Sequence, residues 1–341
     1  MQLSEFDYSY PEELVAIQPQ PTFRILYSNS EAKALKEINK TELFDLFQAG
    51  DALVINETKV LKRRVFTEDG MGVLFVENNN HPLEWKVLYP ARDSKIGDHL
   101  KLKGQVTLEL VSKGLPQIVR ASQPLDDNYF LEHGEYALPP YIQKARENEH
   151  NLAHDEEWYQ TAWAREPGSC AAPTASLHFT QDDLQKIEAR GVKILKVTLH
   201  VGIGTFLPVK TQNLNDHVMH KEWAYIPGET LREIQNVKSN QKKVWGLGTT
   251  VARTLESQAL GLLKPQANGA YSGETDLFIR PGFEWQVVDV LMTNFHQPKS
   301  TLLALVAAFA SLDHVKKAYQ YAIENKFRLF SYGDLSVWVK K

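Results

Sequence analysis

Cysteine is almost absent: Cys170 is the only one in 341 residues. That excludes an intramolecular disulfide and a zinc site built on several thiolates, and it fits a reducing compartment. Long hydrophobic runs are missing as well. The longest, Leu302 to Ala310, falls far short of the ~20 residues a membrane span needs. The acidic stretch from Met1 to Asp7 has no apolar segment of the kind a secretory signal carries. Neither sign of charge dominates. Lysine and arginine number 38 against 42 acidic residues, a net charge of −4. A uniformly basic nucleic-acid binder is excluded, although a local basic patch is not. What is present is ordinary for a globular chain: 43% hydrophobic and 23% charged residues. At roughly 100–200 residues per domain the length points to about two domains. The chain reads as soluble and cytoplasmic.

The pattern changes along the chain. From about Val65 to Val119 it is strand-like, with short apolar or alternating runs such as Val73 to Val76, Trp85 to Tyr89 and Val106 to Val111. Turn residues stand between them, as at Asp69-Gly70, Ile96-Gly97-Asp98 and Lys113-Gly114. Short strands at this spacing predict a small barrel or sandwich. After about Trp158 strands alternate with helices. Thr180 is placed to cap a helix that carries Asp182 and Asp183 in its first turn and stops at Gly191. Val192 to Val201, Val244 to Leu247 and Val287 to Thr293 read as strands. Glu229 to Asn240, Thr250 to Leu263, Thr301 to Ala310 and His314 to Asn325 read as helices. In the first sixty residues, Thr41 to Gln48 reads as a helix and Ala52 to Ile55 as a strand. The expected fold is a large mixed α/β layered domain, residues 1–64 with 155–341, interrupted by an inserted small β-barrel at 65–154.

Five segments look unlike scaffold: Gly50 to Val60, Glu166 to Thr180, Leu199 to Phe206, Gly248 to Ser257 and Thr293 to Thr301. Four of them place small or polar residues just after an expected strand, where open α/β sheets collect ligands. Gly248-Thr249-Thr250 opens a helix, so free N–H groups there suit a phosphate or carboxylate, with Arg253 one turn further on. Simple N-capping by a threonine explains the same residues. His200 leads into Gly202 and Gly204, which allow a ligand close to the backbone. A satisfied histidine before a tight turn is the plainer account. His178 and His296 lie in loops and can act as acid, base or donor, or simply as loop hydrogen bonds. His217 and His220 stand three apart, but no third ligand is fixed by spacing, so no metal is expected. Lys59, Lys62, Arg63 and Arg64 crowd one short run. It can contact nucleic-acid phosphate or be a solvated face. Cys170 has no motif pairing it with a histidine and reads as incidental.

In order, these segments resemble one family, the S-adenosylmethionine:tRNA ribosyltransferase-isomerases of queuosine biosynthesis. The most specific stretches are Ala171-Ala172-Pro173-Thr174-Ala175 with Leu177-His178-Phe179, and Thr293-Asn294-Phe295-His296 with Pro298-Lys299-Ser300-Thr301. Phe6-Asp7-Tyr8, Leu138-Pro139-Pro140-Tyr141, Asp216-His217 with His220 and Glu222, and Phe330-Ser331-Tyr332-Gly333-Asp334 add to them. The resemblance implies transfer of the ribosyl part of S-adenosylmethionine to 7-aminomethyl-7-deazaguanine at the wobble position of tRNA. Isomerisation then gives epoxyqueuosine, adenine and methionine, with no metal required; apart from the resemblance, a monomer is the default expectation. It implies His178, His200, His296 and Asn294 as catalytic candidates, with the base left open among the three histidines. Pro173, Thr174, Gly202, Gly204, Thr249, Thr250, Arg253 and Glu256 are the donor-binding candidates.

The chain departs from the usual family pattern at Lys59, at Lys62-Arg63, at Gly72, at Ser176 and Ser311 where glycine is usual, and at Val251-Ala252. Lysine for arginine keeps charge but loses the bidentate fork. Three readings follow: an active divergent enzyme, a paralogue with another acceptor, or a non-catalytic tRNA- or nucleotide-binding module. An unrelated methyltransferase is disfavoured, because the Gly-rich loop expected after the first strand is missing.

Overall fold

A computed structural model describes residues 1–29, 31, 34–148, 150–202, 204, 207 and 209–340. The chain divides into two compact units, 1–59 with 158–341 and 60–157. Among the described residues no helix is long and apolar enough to cross a membrane.

The first unit is built on a ten-stranded mixed sheet. Its centre is four parallel neighbours in the order Lys193–Leu199, Ala52–Asn56, Val244–Leu247 and Val290–Asn294. Ala52–Asn56 and Val290–Asn294 are buried along their whole length, as strands covered on both faces must be. Leu335–Val339 then joins antiparallel to Val290–Asn294, and Ile25–Asn29 follows parallel to it. On the other side, Glu222–Ile226 and Tyr271–Thr275 add antiparallel strands.

Helices cover the sheet, and local chemistry fixes their ends. Asn39 and Glu42 form a capping box at 2.9 Å in each direction before helix Lys40–Leu46. Thr180 and Asp183 do the same for Gln181–Glu188. Phe44, Phe47, Leu184 and Ile187 pack on Leu53, Trp245, Val290 and Met292 to make the core. Asp51, 1% exposed, ties the sheet's lower edge together. Its carboxylate accepts from the N–H of Lys243 at 2.9 Å and of Gln48 at 3.1 Å, and from Trp245 Nε1 at 3.0 Å.

Ser311 links helices Thr301–Ala310 and Leu312–Glu324 at φ +69° and ψ 146°, a conformation that favours glycine. Ser176 has no such strain: it sits in the short 3₁₀ turn Thr174–His178 and is absent from the positive-φ residues. Ser311→Gly should therefore stabilise the protein by roughly 1 kcal/mol, the relieved strain outweighing the extra freedom of the unfolded chain. A higher urea midpoint with unchanged m-value is the expected result, and a lower midpoint would count against the strain.

The second unit holds a seven-stranded antiparallel sheet. Val106–Ser112 alternates buried and half-exposed residues, turning Val106, Leu108 and Leu110 onto Phe75, Trp85 and Phe130. Phe130 meets Phe75 and Trp85 edge-on at 5.1 and 5.3 Å. Just past Arg64–Phe66, the strand next to one end of the order, Thr67 bridges Leu102 of the strand at the other end, and Glu68 N–H donates to Lys101 O at 2.9 Å. Among the described residues this contact does not extend into a ladder. The sheet is a curled half-barrel where the sequence pattern predicts a small barrel.

Candidate active site

Because the four central strands run parallel, their carboxyl ends lie along one edge of the sheet. Neighbouring strands are about 4.8 Å apart, so residues ending two strands away are about 10 Å apart. That edge collects most of the residues singled out in the sequence.

At its middle stands Asn56, buried at the end of an apolar strand. Its side-chain oxygen accepts from the N–H of Thr58 and of Leu199, both at 3.1 Å. Its amide donates to Leu199 O at 3.0 Å and to Thr250 Oγ1 at 3.3 Å. Asn56 thus fixes three segments to one another, and the sequence reading gave it no role. The signal was a polar residue closing a wholly apolar strand.

His200 follows the neighbouring strand. Its Nδ1 lies 2.8 Å from Thr58 Oγ1, and its ring stacks on Trp223 at 5.1 Å and 18°. Burial lowers its pKa below the ordinary histidine value, with the charge of Glu166 opposing. The ring is thereby held toward its neutral form. Gly168 has to be glycine here: its φ is +154°, and a Cβ would come within 2.7 Å of the His200 ring.

Further along the edge, Thr174 Oγ1 donates to Asn294 Oδ1 at 2.8 Å, and Asn294 Nδ2 donates to His178 Nε2 at 3.1 Å. Gly333 accepts from the same imidazole. With both nitrogens engaged, burial and the nearby cations Arg328 and Lys40 push the His178 pKa down to about 3. Burial does the same to His296, also to about 3. Its Nε2 lies 2.9 Å from Thr293 Oγ1, and its backbone is gripped by Tyr8 and Tyr319 at 2.5 and 2.9 Å. Both rings are neutral hydrogen-bonding groups, and a pKa near 3 makes them weak bases. Pro173 is buried beside the turn that carries His178.

Helix Thr249–Ala259 begins at Gly248, whose φ of +95° no side chain shares easily. No side chain caps this helix, so N–H groups of its first turn are available to an anion. Thr249 is 8% exposed at this end. Val251 and Ala252 are fully buried, so their departure from the family pattern belongs to the core rather than to the helix mouth. Arg253 and Glu256 both have partners within the protein. The Arg253 guanidinium forms a buried ion pair with Glu222 and donates from Nε to Leu277 O at 3.2 Å. Only its Nη2 is buried without a partner. A carboxylate ligand would therefore meet a neutralised pair, not an open cation. Glu256, wholly buried, accepts from the N–H groups of Gln286, Val287 and Val288 at 2.9, 2.9 and 3.0 Å. It staples the loop before Val290–Asn294.

Gly202 N–H donates to the other Glu222 oxygen at 2.9 Å, which ties the glycine loop to the same ion pair. Gly204 packs beside His220, while Ile203, Thr205 and Phe206 lie outside the described residues. The basic run is mostly engaged. Lys62 pairs with Glu156. Arg63 pairs with Asp127 at 2.9 Å and lies over the Phe130 ring at 4.2 Å. Arg64 covers Phe66 at 5.1 Å, filling space that a Cβ at Gly72 would contest. Lys59 is exposed. Cys170 is buried, with its N–H donating to Val201 O at 2.9 Å. Among the described residues no cluster of three metal-ligating side chains forms, His217 and His220 included.

Comparison with known proteins gives a consistent picture. The profile of a family described as "Queuosine biosynthesis protein" matches residues 3–337. Proteins named S-adenosylmethionine:tRNA ribosyltransferase-isomerase from Chlorobium chlorochromatii and Thermotoga maritima are each 39% identical, with 98% of both chains covered. The crystal structure of an S-adenosylmethionine tRNA ribosyltransferase from Thermotoga maritima is similar with a TM-score of 0.57 and 29% identity. It covers 98% of this chain and 100% of that one.

Proposed function

The chain belongs to the queuosine biosynthesis protein family, and from that premise we propose how its sheet edge performs the family's reaction. It is an S-adenosylmethionine:tRNA ribosyltransferase-isomerase, with S-adenosylmethionine as ribosyl donor and tRNA as acceptor. In this reading the acceptor is 7-aminomethyl-7-deazaguanine at the wobble position. The products are epoxyqueuosine in tRNA, adenine and methionine. A cytoplasmic monomer acts, with 1–64 and 155–341 as the domain that carries the chemistry and 65–154 as an inserted β domain.

The observation that carries the reading is the difference among the three histidines on one sheet edge. The sulfonium of the donor acidifies the adjacent C5′–H, and a base must take that proton. His178 has both ring nitrogens committed, and its pKa near 3 makes it a poor acceptor. His296 is equally suppressed. His200 is oriented by Thr58 and Trp223, and the burial that lowers its pKa is opposed by the charge of Glu166. With Nδ1–H donating to Thr58 Oγ1, Nε2 carries the lone pair that accepts the proton. The neutral His178–Asn294–Thr174 chain then serves the leaving adenine or the ribose hydroxyls as hydrogen-bond partners. The uncapped turn at Thr249 and Thr250 receives the methionine carboxylate. Lys59, exposed, and the partly engaged Lys62, Arg63 and Arg64 contribute to holding tRNA phosphates.

A turnover assay tests this directly. The protein is incubated with S-adenosylmethionine and precursor-bearing tRNA, and the digested nucleosides are weighed by mass spectrometry. Epoxyqueuosine with equal amounts of adenine and methionine is the expected result. Binding of the donor without product would point to a different acceptor.

A further inference from the structure

Two buried polar atoms in the first unit have no hydrogen-bond partner although they line the same cleft: Glu57 Oε2 and Thr198 Oγ1. Glu57 is 7% exposed and Thr198 1%. Lys196 Nζ comes within 3.6 Å of the Glu57 carboxylate, which is ion-pair range but beyond hydrogen-bond range. Leaving such groups dry and unpaired is costly, so their persistence at a cleft points to a ligand that pairs them. The cleft encloses about 620 Å³, within the range of ligand pockets, and Glu166, Trp223 and Tyr225 also line it.

One face of the sheet builds it. Thr198 stands opposite Tyr225, and the His200 N–H donates to Trp223 O at 2.9 Å, so the side chains of these four residues share a face. The three rings hold nearly one orientation. His200 lies on Trp223 at 18°, and Trp223 is parallel to Tyr225 within 2° at 6.1 Å. Trp223 is 41% exposed, an unusual place for a tryptophan unless something planar covers it. Beside the rings stand the carboxylates of Glu57 and Glu166 and the Thr198 hydroxyl, with Gln266, Asn268 and Ser272 further along the lining.

We infer that this cleft is the acceptor-base subsite: a flipped-out 7-deazaguanine ring lies on the Trp223–Tyr225 shelf while Glu57 and Thr198 read its polar edge. The inference rests on the family reading above and adds where the acceptor sits. A guanine-type edge offers N1–H and an exocyclic amine side by side, two donors that match one carboxylate. An adenine edge sets an acceptor nitrogen beside its amine, which would face Glu57 with a repelling lone pair. The Glu57 carboxylate therefore favours a guanine-type edge over the donor's own adenine. Glu166, on the same cleft, is available to the aminomethyl group. His200, stacked on Trp223, then stands between this cleft and the anion-binding turn two strands away. A base read at its polar edge must leave its stack, as enzymes that modify bases require.

The test measures binding of three probes: tRNA bearing the precursor, the free base 7-aminomethyl-7-deazaguanine, and S-adenosylmethionine. Trp223→Ala should weaken precursor-tRNA and free-base binding by about tenfold or more, since one stacking contact is commonly worth that much. Trp223→Phe should restore most of it. Glu57→Gln and Thr198→Val should weaken the same two probes while S-adenosylmethionine affinity stays within about twofold. Unchanged free-base and tRNA affinity in Trp223→Ala would overturn the proposal. So would a loss of S-adenosylmethionine affinity in its place, which would hand the cleft to the donor. Free-base binding is read without turnover. A wild-type protein that binds the base but forms no epoxyqueuosine would thus fault the family reading and leave the subsite standing.

Discussion

His200→Ala should lower kcat by about 10²- to 10⁴-fold, the usual contribution of a positioned proton acceptor, without a matching fall in tRNA affinity. The expectation follows from what holds the ring. Thr58 fixes one nitrogen at 2.8 Å, Trp223 fixes the plane, and Gly168 keeps the space around the ring open. A side chain held that firmly at a strand's carboxyl end is built for orientation. The sign of its pH dependence is determined as well. The base must be neutral to act, and burial lowers its pKa below the ordinary value of 6.5. The rate should be flat from neutral to mildly alkaline pH and fall on the acid side, with the midpoint below that of a free imidazole. His200→Gln keeps a polar side chain at the site and removes the basic nitrogen, so it should be as slow as the alanine variant. Near-normal kcat in either variant, or an acid limb unchanged from wild type, would remove His200 from the role. Exchange of the donor's C5′ hydrogen with solvent gives an independent readout, because it reports the proton transfer itself.

The parallel centre of the sheet was legible because its strands are covered on both faces and read as continuous apolar runs. Ala52–Asn56, Val244–Leu247 and Val290–Asn294 are of this kind. The flanking strands were not legible, for different reasons. Glu222–Ile226 alternates correctly, but its outward residues are Trp223 and Tyr225, so the pattern does not contrast apolar with polar. Leu335–Val339 and Ile25–Asn29 pair across the whole length of the chain, and no local rule joins the two termini. In the second unit the individual strands were visible. Closure was not, because it depends on whether Thr67 and Leu102 begin a ladder or form a single bridge.

The site shows the same division. Glycines and threonines after strands marked where a ligand could approach, and Gly248 and Gly168 hold the backbone conformations that such marks imply. Which side chains meet was invisible. Thr58 and His200 are 142 residues apart, and Asn294 and His178 are 116 apart. Our proposal of His200 as the base rests on those partners and on burial. Glu57, Thr198 and Trp223 were given no role, because their meaning lies in lining one cleft.

Arg253 is where residue type misleads most, and it carries the largest expected effect on stability. Glu222→Gln should destabilise the protein by roughly 3–5 kcal/mol, the cost of leaving a buried charge without its partner. Both side chains are nearly inaccessible, at 7% and 6% exposure. Little water can therefore replace the lost carboxylate. The glutamine can still accept from Gly202 N–H, so the change isolates the charge from that hydrogen bond. Arg253→Met alone should also destabilise, by stranding Glu222. The double variant Arg253→Met with Glu222→Leu should recover much of the loss, because two well-packed apolar groups replace a pair whose desolvation was costly. A double-mutant cycle read from urea midpoints separates this from an additive outcome. If Glu222→Gln is nearly neutral and Arg253→Met instead abolishes S-adenosylmethionine binding in a stable protein, the guanidinium is a ligand for the donor's carboxylate after all. If the coupling is large, Arg253 acts by fixing Glu222 and, through it, the glycine loop after His200. Anion binding at this end of the sheet then depends on the N–H groups around Thr249 alone.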